Sequence, residues 1–128
     1  METLVHDPSD GIYATGGDYV HALELREPRR LLFVSGTMGL DTGGEAPATL
    51  PEQLELVWAN VRTILAAAGM TTGDIVRVTS YLRDAAYAGP NAAARVRALG
   101  GRAVPTTAIV VETLSPGWLI ELEIVAAN

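Results

Sequence analysis

The stretch that decides the fold is Val104-Pro-Thr-Thr-Ala-Ile-Val-Val-Glu-Thr-Leu-Ser-Pro-Gly-Trp-Leu-Ile-Glu-Leu-Glu-Ile-Val-Ala-Ala127. Its first run, Thr106 to Leu114, is rich in β-branched residues. In its second run, Leu119 to Ala126, successive side chains would alternate between the two faces of a strand. Ser115-Pro116-Gly117 lies between the runs and favours a chain reversal, since proline fixes one turn dihedral and glycine accepts a positive φ. The stretch therefore predicts two strands joined as a β-hairpin.

Two glutamates, Glu121 and Glu123, interrupt the second run. Alternation places them on one face with Leu119 and Val125, whereas Ile120, Leu122, Ile124 and Ala126 share the other face. Two interpretations stay open at this point. In the first, one or both carboxylates face water. In the second, Glu121 lines a pocket, since a buried carboxylate on an otherwise apolar strand must be paired, hydrogen-bonded or protonated.

The rest of the chain predicts alternating strands and helices in the order β-β-β-α-β-α-β-β. Met1 to Asp10 is either poorly ordered or an edge strand. Thr49 and Glu52 form a capping-box pattern, with Pro51 in the first turn, for a helix to about Ala68 that Gly69 ends. The predicted strands are Gly11 to Ala14, Tyr19 to Arg26, Leu31 to Val34 and Ile75 to Leu82, and a second helix runs from Asp84 or Gly89-Pro90 to about Leu99.

Several strands are apolar on both faces, which predicts an oligomer. Two helices cover only one face of a sheet of five or six strands. Leu31 to Val34, Ala108 to Val111 and Leu119 to Val125 would then leave an apolar patch larger than a monomer tolerates. We therefore expect a homo-oligomer in which a partner subunit covers the second face.

Composition excludes several classes of function. The chain has 128 residues, no cysteine and no lysine, so a thiol nucleophile, a thiolate metal site and a Schiff-base lysine are absent. A net charge of −6 with scattered arginines argues against a nucleic-acid partner. We expect one domain over residues 1–128, no metal or cofactor, no membrane segment and a cytoplasmic protein.

From about Gly17 to Ala127 the chain resembles the Rid family, the reactive intermediate deaminases also called YjgF or L-PSP endoribonuclease. The segments that carry the resemblance are Tyr19-Val20, Phe33-Val-Ser-Gly36, Gln53 to Gly69, Asp74 to Leu82, Asn91 and Leu119 to Ala126. The resemblance implies an α+β, chorismate-mutase-like fold with two helices on one face of a mixed sheet. It further implies a homotrimer with ligand clefts between neighbouring subunits.

The resemblance also implies the residues of the cleft. It places the catalytic residue at Glu121 and ligand-binding residues at Tyr19, Ser35, Asn91 and either Thr106 or Thr107. Apart from the resemblance, we expect Gly36, beside Ser35, and Trp118, which could form a wall of the cleft next to Glu121, to contact the ligand as well. Family deaminases hold a substrate carboxylate with an arginine after a proline, where this chain has Pro105-Thr106-Thr107. Counting back from Glu121 aligns Thr106 with that arginine, whereas anchoring on Pro105 aligns Thr107. Neither threonine is a cation. The remaining candidate for a cation that binds the substrate carboxylate is Arg102, whose side chain would have to reach back into the cleft.

Two functions follow from this site. The first is a Rid-like enzyme in which Glu121 positions or deprotonates a water that attacks an imine, an enamine or a similar electrophile, with a substrate other than the usual imines of 2-oxo acids. The second is a non-catalytic trimer that binds a small metabolite in the same cleft, or a pathway accessory protein. An endoribonuclease fits the negative charge poorly.

Overall fold

A computed structural model describes residues 1–128. The strands and helices follow the predicted order, with short 3₁₀ turns at Thr72–Asp74 and Ala85–Tyr87. They are β1 Glu2–His6, β2 Ala22–Arg26, β3 Leu31–Met38, α1 Leu50–Ala67, β4 Ile75–Leu82, α2 Ala88–Ala98, β5 Thr106–Val110 and β6 Ile120–Ala127. The α+β class and the mixed sheet are therefore confirmed.

The main sheet has four strands in the order β3-β6-β4-β5, and this order contradicts the predicted hairpin. β6 is antiparallel to both β3 and β4, whereas β5 is parallel to β4. The chain does reverse near Ser115, where the Trp118 amide donates to the Ser115 carbonyl at 3.0 Å. The reversed strands do not pair, because β4 lies between them and uses the inner edge of each.

The N-terminal region forms a second, two-stranded sheet of β1 and β2 rather than joining the main sheet. The expected sheet of five or six strands is thus wrong, and within Met1 to Asp10 the structure has the strand Glu2–His6. Gly11 to Ala14 is not a strand, since Gly11 has a φ of 72° in an irregular loop. The strand predicted from Tyr19 begins only at Ala22, and Val20 instead makes an isolated parallel bridge to Pro105.

The helix signals predicted the helix boundaries well. The Thr49 side chain accepts a hydrogen bond from the Glu52 amide, and Gly69 ends α1 with a φ of 68°. Asp84 caps the 3₁₀ turn through the Ala86 amide, and α2 continues directly from that turn. No helix in the structure is long and apolar enough to cross a membrane.

The core lies between the two helices and one face of the main sheet. α1 contributes Val57, Val61 and Leu65, which are fully buried. β6 contributes the predicted set Ile120, Leu122, Ile124 and Ala126, also fully buried. The opposite face of the sheet, which we call the open face, has no helix over it and carries Glu121, Glu123 and Val125.

The open face is the apolar surface that the sequence predicted. Phe33 pairs with Val125 across β3 and β6, and its side chain is 73% exposed. Ile109 on β5 is also exposed. Exposure of large apolar side chains on one side of a sheet is typical of a surface that another subunit covers.

Candidate functional site

A β-bulge in β3 brings Ser35 and Gly36 beside Glu121. The register between β3 and β6 shifts between Val34 and Thr37, so both intervening residues lie opposite Glu123. The Cα of Gly36 packs against the Glu121 carboxylate, since a Cβ built on Gly36 would lie 2.6 Å from Glu121 Oε2. Only glycine leaves room for the carboxylate in this position. Ser35, Gly36 and Glu121 thus form the first half of the predicted site.

The two glutamates of β6 differ in their partners. The Tyr81 hydroxyl donates to Glu123 Oε1 at 3.0 Å, and this hydrogen bond, together with burial and the nearby charge of Glu121, raises the pKa of Tyr81. Glu121 is half-buried and its carboxylate makes no hydrogen bond within the chain. The free carboxylate is therefore that of Glu121, whereas Glu123 already has a donor.

A cavity of about 700 Å³ lies along the free edge of β3. It is lined by Ser35, Gly36 and the loop around Asp41 to Gly44, with Asn60 of α1 behind them. The Asn60 amide donates to the carbonyls of Met38 and Leu40, which fixes the end of β3. Ser35 and Gly36 therefore border a space large enough for a small metabolite, whereas Glu121 does not line it.

The second half of the predicted site lies at the opposite edge of the sheet, beside β5. The bridge between Val20 and Pro105 brings the loop that carries Tyr19 next to the start of β5. The guanidinium of Arg95 on α2 holds this loop by donating to the Asp18 carboxylate at 2.7 Å, and its side chain is only 5% exposed. Asn91 lies one helical turn before Arg95 and is buried with its Oδ1 unpartnered.

Thr106 and Thr107 point to opposite faces of β5. Thr106 pairs with the buried Val78, and its hydroxyl donates to the Val104 carbonyl at 2.9 Å. Thr107 pairs with Thr79 on the open face, where its hydroxyl oxygen accepts a hydrogen bond from Arg77 at 3.1 Å. Of the two threonines, Thr107 is the one that shares a face with Glu121.

Arg102 lies away from the first half of the site. The Arg102 guanidinium donates to the carbonyls of Thr72 and Ile75, at the start of β4. Glu121 pairs with Tyr81, six residues further along β4, which is about 20 Å away. Within one subunit, then, Arg102 does not reach Glu121.

Trp118 is half-buried in the connection before β6, and the buried Gln53 holds that connection in place. The Gln53 amide donates to the carbonyls of Pro47 and Gly117 and accepts from the Leu119 amide. This arrangement sets where β6 begins. Nothing in the sequence distinguishes Gln53 from the other polar residues of α1.

A family model described as Endoribonuclease L-PSP matches residues 11–128. The chain belongs to that family, the Rid family. A RutC family protein of Pyrococcus horikoshii is 32% identical over 123 residues, which cover 86% of each chain. TdcF of Escherichia coli strain K12, named as a candidate reactive intermediate deaminase, is 35% identical over 69 residues. That match spans 53% of this chain and about half, 51%, of TdcF.

Solved structures support the Rid fold. The Rid family protein YyfB of Yersinia pestis, whose function is unknown, superposes with a TM-score of 0.84 and 27% identity over 100% of both chains. RidA of an Antarctic Psychrobacter superposes with a TM-score of 0.72 and 25% identity, covering 90% of this chain and 92% of RidA. The chorismate-mutase-like, two-layer architecture implied by the resemblance is thus confirmed.

Three residues of this Rid chain near the site were missed by sequence reasoning: Asn60, Arg77 and Tyr81. Arg77 and Tyr81 lie on the open face of β4 and contact Thr107 and Glu123, residues 30 and 42 positions away. Alternation within β4 shows that the two share a face. Their partners depend on the register between strands, which the sequence of β4 alone does not specify.

Proposed function

We propose that this Rid chain is an enzyme that adds water to a reactive imine, enamine or similar electrophile and releases the amine nitrogen. The site is a cleft between neighbouring subunits of a homotrimer. Glu121 is its catalytic residue. Membership of the family and the name of the relative TdcF support the reaction class, and the geometry around Glu121 supports the residue.

The observation that carries the proposal is the free Glu121 carboxylate against Gly36. A general base must have an oxygen available to a water molecule, and Glu121 has no competing donor within the chain. The cavity that Ser35 and Gly36 line borders the bulge against which this carboxylate packs, and Glu121 itself is not among its lining residues. Glu123 does not meet the requirement, because the Tyr81 hydroxyl occupies one of its oxygens.

The reaction proceeds in two proton-balanced steps. A water bound to Glu121 attacks the imine carbon, the electron pair of the C=N bond moves to nitrogen, and Glu121 accepts a proton from the water. Glu121 then returns the proton to nitrogen. In this carbinolamine Glu121 takes the proton of the new hydroxyl group and passes it to nitrogen as the C–N bond breaks, leaving a carbonyl compound and ammonia or an amine. The hydroxyls of Ser35 and Tyr19 and the Asn91 amide hold the ligand during these steps.

The need for a neighbouring subunit follows from where the two halves lie. Ser35, Gly36 and Glu121 lie at the β3 edge, whereas Tyr19, Asn91 and Thr106 lie at the β5 edge. β5 and β6 are two strand spacings apart, about 10 Å, and the Glu121 carboxylate points toward β3 rather than β5. A ring of subunits that places the β5 edge of one against the β3 edge of the next brings the halves together.

A second candidate function is binding of a metabolite without turnover. It is favoured by one observation, namely that neither Thr106 nor Thr107 supplies the cation that family deaminases place there. The same cleft would then hold a ligand, and Glu121 would serve as a hydrogen-bond acceptor.

Rates of imine hydrolysis distinguish the two functions. We expect the wild type to hydrolyse at least one member of a panel of imines and enamines with and without a carboxylate group. Glu121→Gln preserves shape while removing the base, so we expect a rate about 10²- to 10⁴-fold lower. Glu123→Gln is the matched control on the same face and should keep a rate close to wild type. Equal rates for wild type and Glu121→Gln on every compound would contradict catalysis by Glu121.

A further inference from the structure

Tyr19 is held in place through both of its neighbours in the chain. On one side, Arg95 Nη2 donates to Asp18 Oδ2 at 2.7 Å and lies 3.5 Å from the Asp18 carbonyl oxygen. On the other side, the Val20 amide donates to the Val104 carbonyl at 3.4 Å. Arg95 is therefore one of two long-range contacts that fix the backbone around Tyr19.

The segment just before Asp18 leaves the backbone free to rotate. Gly16 and Gly17 have φ values of 81° and 94°, in the region that glycine adopts most easily. A Cβ built on Gly17 would meet no atom within 4 Å, so neighbouring groups do not restrain the chain there. The position of Tyr19 consequently depends on the contacts of Asp18 and Val20.

The Arg95 guanidinium is buried, and Asp18 is its one anionic partner. The Arg95 side chain is 5% exposed, whereas that of Asp18 is 43% exposed. Arg95 Nε is buried without a hydrogen-bond partner in the chain. An ion pair of this kind adds little to the stability of a fold, because the cost of removing the guanidinium from water offsets the attraction. What the pair does supply is a fixed position for the Asp18 backbone.

The same face of α2 carries Asn91, another ligand-binding residue of the proposed cleft. Asn91 lies one helical turn before Arg95, and residues four apart on a helix are neighbours on one face. Asn91 is 1% exposed and its Oδ1 has no partner in the chain. The Arg95–Asp18 pair thus joins the loop of Tyr19 to the helix that positions Asn91.

We propose that Arg95 is a positioning residue, which places Tyr19 relative to Asn91 and thereby sets the affinity of the cleft for its ligand. The inference rests on the proposed function, in which Tyr19 and Asn91 hold the ligand. Arg95 acts through Asp18 and does not touch the ligand itself. Because Glu121 lies in the other half of the site, loss of Arg95 weakens binding and leaves the chemical step unchanged.

Arg95→Met separates positioning from stability. Methionine removes the buried charge and keeps an apolar side chain of similar length, a change that buried ion pairs tolerate, and the exposed Asp18 carboxylate becomes hydrated. We expect the Val20 amide to exchange with deuterium about 10-fold faster, measured by NMR without any ligand. The KM for imine hydrolysis should rise about 10-fold, as loss of one ligand hydrogen bond predicts, with kcat within about 3-fold of wild type.

Arg97→Met provides the matched control, since Arg97 is exposed on the same helix and its loss changes the net charge equally. Both quantities should stay at wild-type values in this control, and Arg95→Lys should recover part of the wild-type KM. Asp18→Asn breaks the same ion pair from its exposed end and should raise both quantities, so the proposal stays testable if Arg95→Met does not fold.

Unchanged exchange of the Val20 amide in Arg95→Met would overturn the proposal, because Arg95 would not hold the loop. Faster exchange with an unchanged KM would overturn it as well, because the pair would then serve only the structure of the loop. A wild type that hydrolyses no compound of the panel would contradict the proposed function instead. The exchange measurement needs no substrate and would still decide whether Arg95 positions the loop of Tyr19.

Discussion

At the scale of single residues, the Glu121 carboxylate can occupy its position because Gly36 has no side chain. The alternation of β6 predicted that Glu121 faces away from the core, and the bulge at Ser35 and Gly36 explains how β3 accommodates it. The carboxylate lies where a Cβ of residue 36 would be. Gly36 therefore acts through packing on the position of Glu121.

Gly36→Ala should displace the Glu121 carboxylate without unfolding the protein. The new Cβ would meet Oε2 at 2.6 Å, and the end of a flexible side chain moves at little cost. Misplacing a catalytic group by about 1 Å lowers rates by about 10²-fold, so we expect a loss of that order in imine hydrolysis. Gly89→Ala is the control, because a Cβ there meets no atom within 4 Å. Unchanged activity in Gly36→Ala would show that Glu121 does not act from this position.

Tyr81 should ionise at a higher pH than an ordinary tyrosine. Its hydroxyl donates to Glu123, and the hydrogen bond and the negative charges of Glu123 and Glu121 all favour the protonated phenol. The raised pKa of Tyr81 means that its stabilising contribution is complete below about pH 10, the ordinary tyrosine value, and is lost as the pH rises through the higher folded value.

Phenolate formation is followed by absorbance as the pH is raised, in the wild type and in Tyr81→Phe. The difference between the two titration curves isolates the ionisation of Tyr81. We expect this difference curve to move to lower pH in the Glu123→Gln background, because the anionic acceptor is gone. A difference curve centred at or below the ordinary tyrosine pKa in the wild-type background would show that the Tyr81–Glu123 hydrogen bond is absent in solution.

At the scale of elements, Gln53 links the first turn of α1 to the start of β6. Its side chain is 1% exposed and satisfies two carbonyls and one amide. Gln53→Ala leaves these buried groups without partners, which should lower the free energy of unfolding by about 2 to 4 kcal/mol.

Urea unfolding at one fixed protein concentration measures the effect of Gln53→Ala, since assembly contributes to apparent stability. Glu55→Ala, on an exposed position of the same helix, should change the free energy by less than about 0.5 kcal/mol. Equal stabilities for the two variants would show that water replaces the Gln53 hydrogen bonds.

Elements that depend on local signals were predictable from sequence, and strand partners were not. Thr49, Gly69 and the alternation of β6 fixed boundaries and faces, because caps and periodicity act within a few residues. The hairpin prediction was wrong because a turn reverses the chain without choosing the neighbour of each strand. Here β4 enters between β5 and β6, and its pairing with each depends on residues far away in the chain.

The candidate site shows the same difference between what local sequence signals predict and what depends on strand pairing. Ser35, Gly36 and Glu121 were predicted together and the structure brings them together. Counting left open whether Thr106 or Thr107 stands at the position of the family's arginine, because the two counts differ by one residue and a shift of one exchanges the faces of a strand. The Arg77 guanidinium beside Thr107 was not foreseen, since it arises from the parallel pairing of β4 with β5.

At the scale of the whole molecule, the proposed cleft takes one half from each free edge of the sheet. The open face exposes Phe33 and Ile109 between them. A ring of three chains would cover that face and join each β5 edge to a β3 edge. The wild-type assembly should then sediment at three times the 13.5 kDa chain mass.

Two inactive variants that restore each other would show directly that the cleft is shared. Glu121→Gln removes the group at the β3 edge. Asn91→Leu alters the β5 edge at a buried position whose Oδ1 has no partner, so the replacement should fold. Each variant alone should be inactive toward the imine that the wild type hydrolyses.

The decisive measurement is the rate of imine hydrolysis after the Glu121→Gln and Asn91→Leu chains are unfolded together in equal amounts and refolded into mixed trimers. If each site takes Glu121 from one subunit and Asn91 from the next, about one quarter of the sites regain both wild-type residues, and about one quarter of the wild-type rate should return. If one subunit supplies both residues, every site keeps a defect. A mixture that stays inactive would contradict the shared cleft.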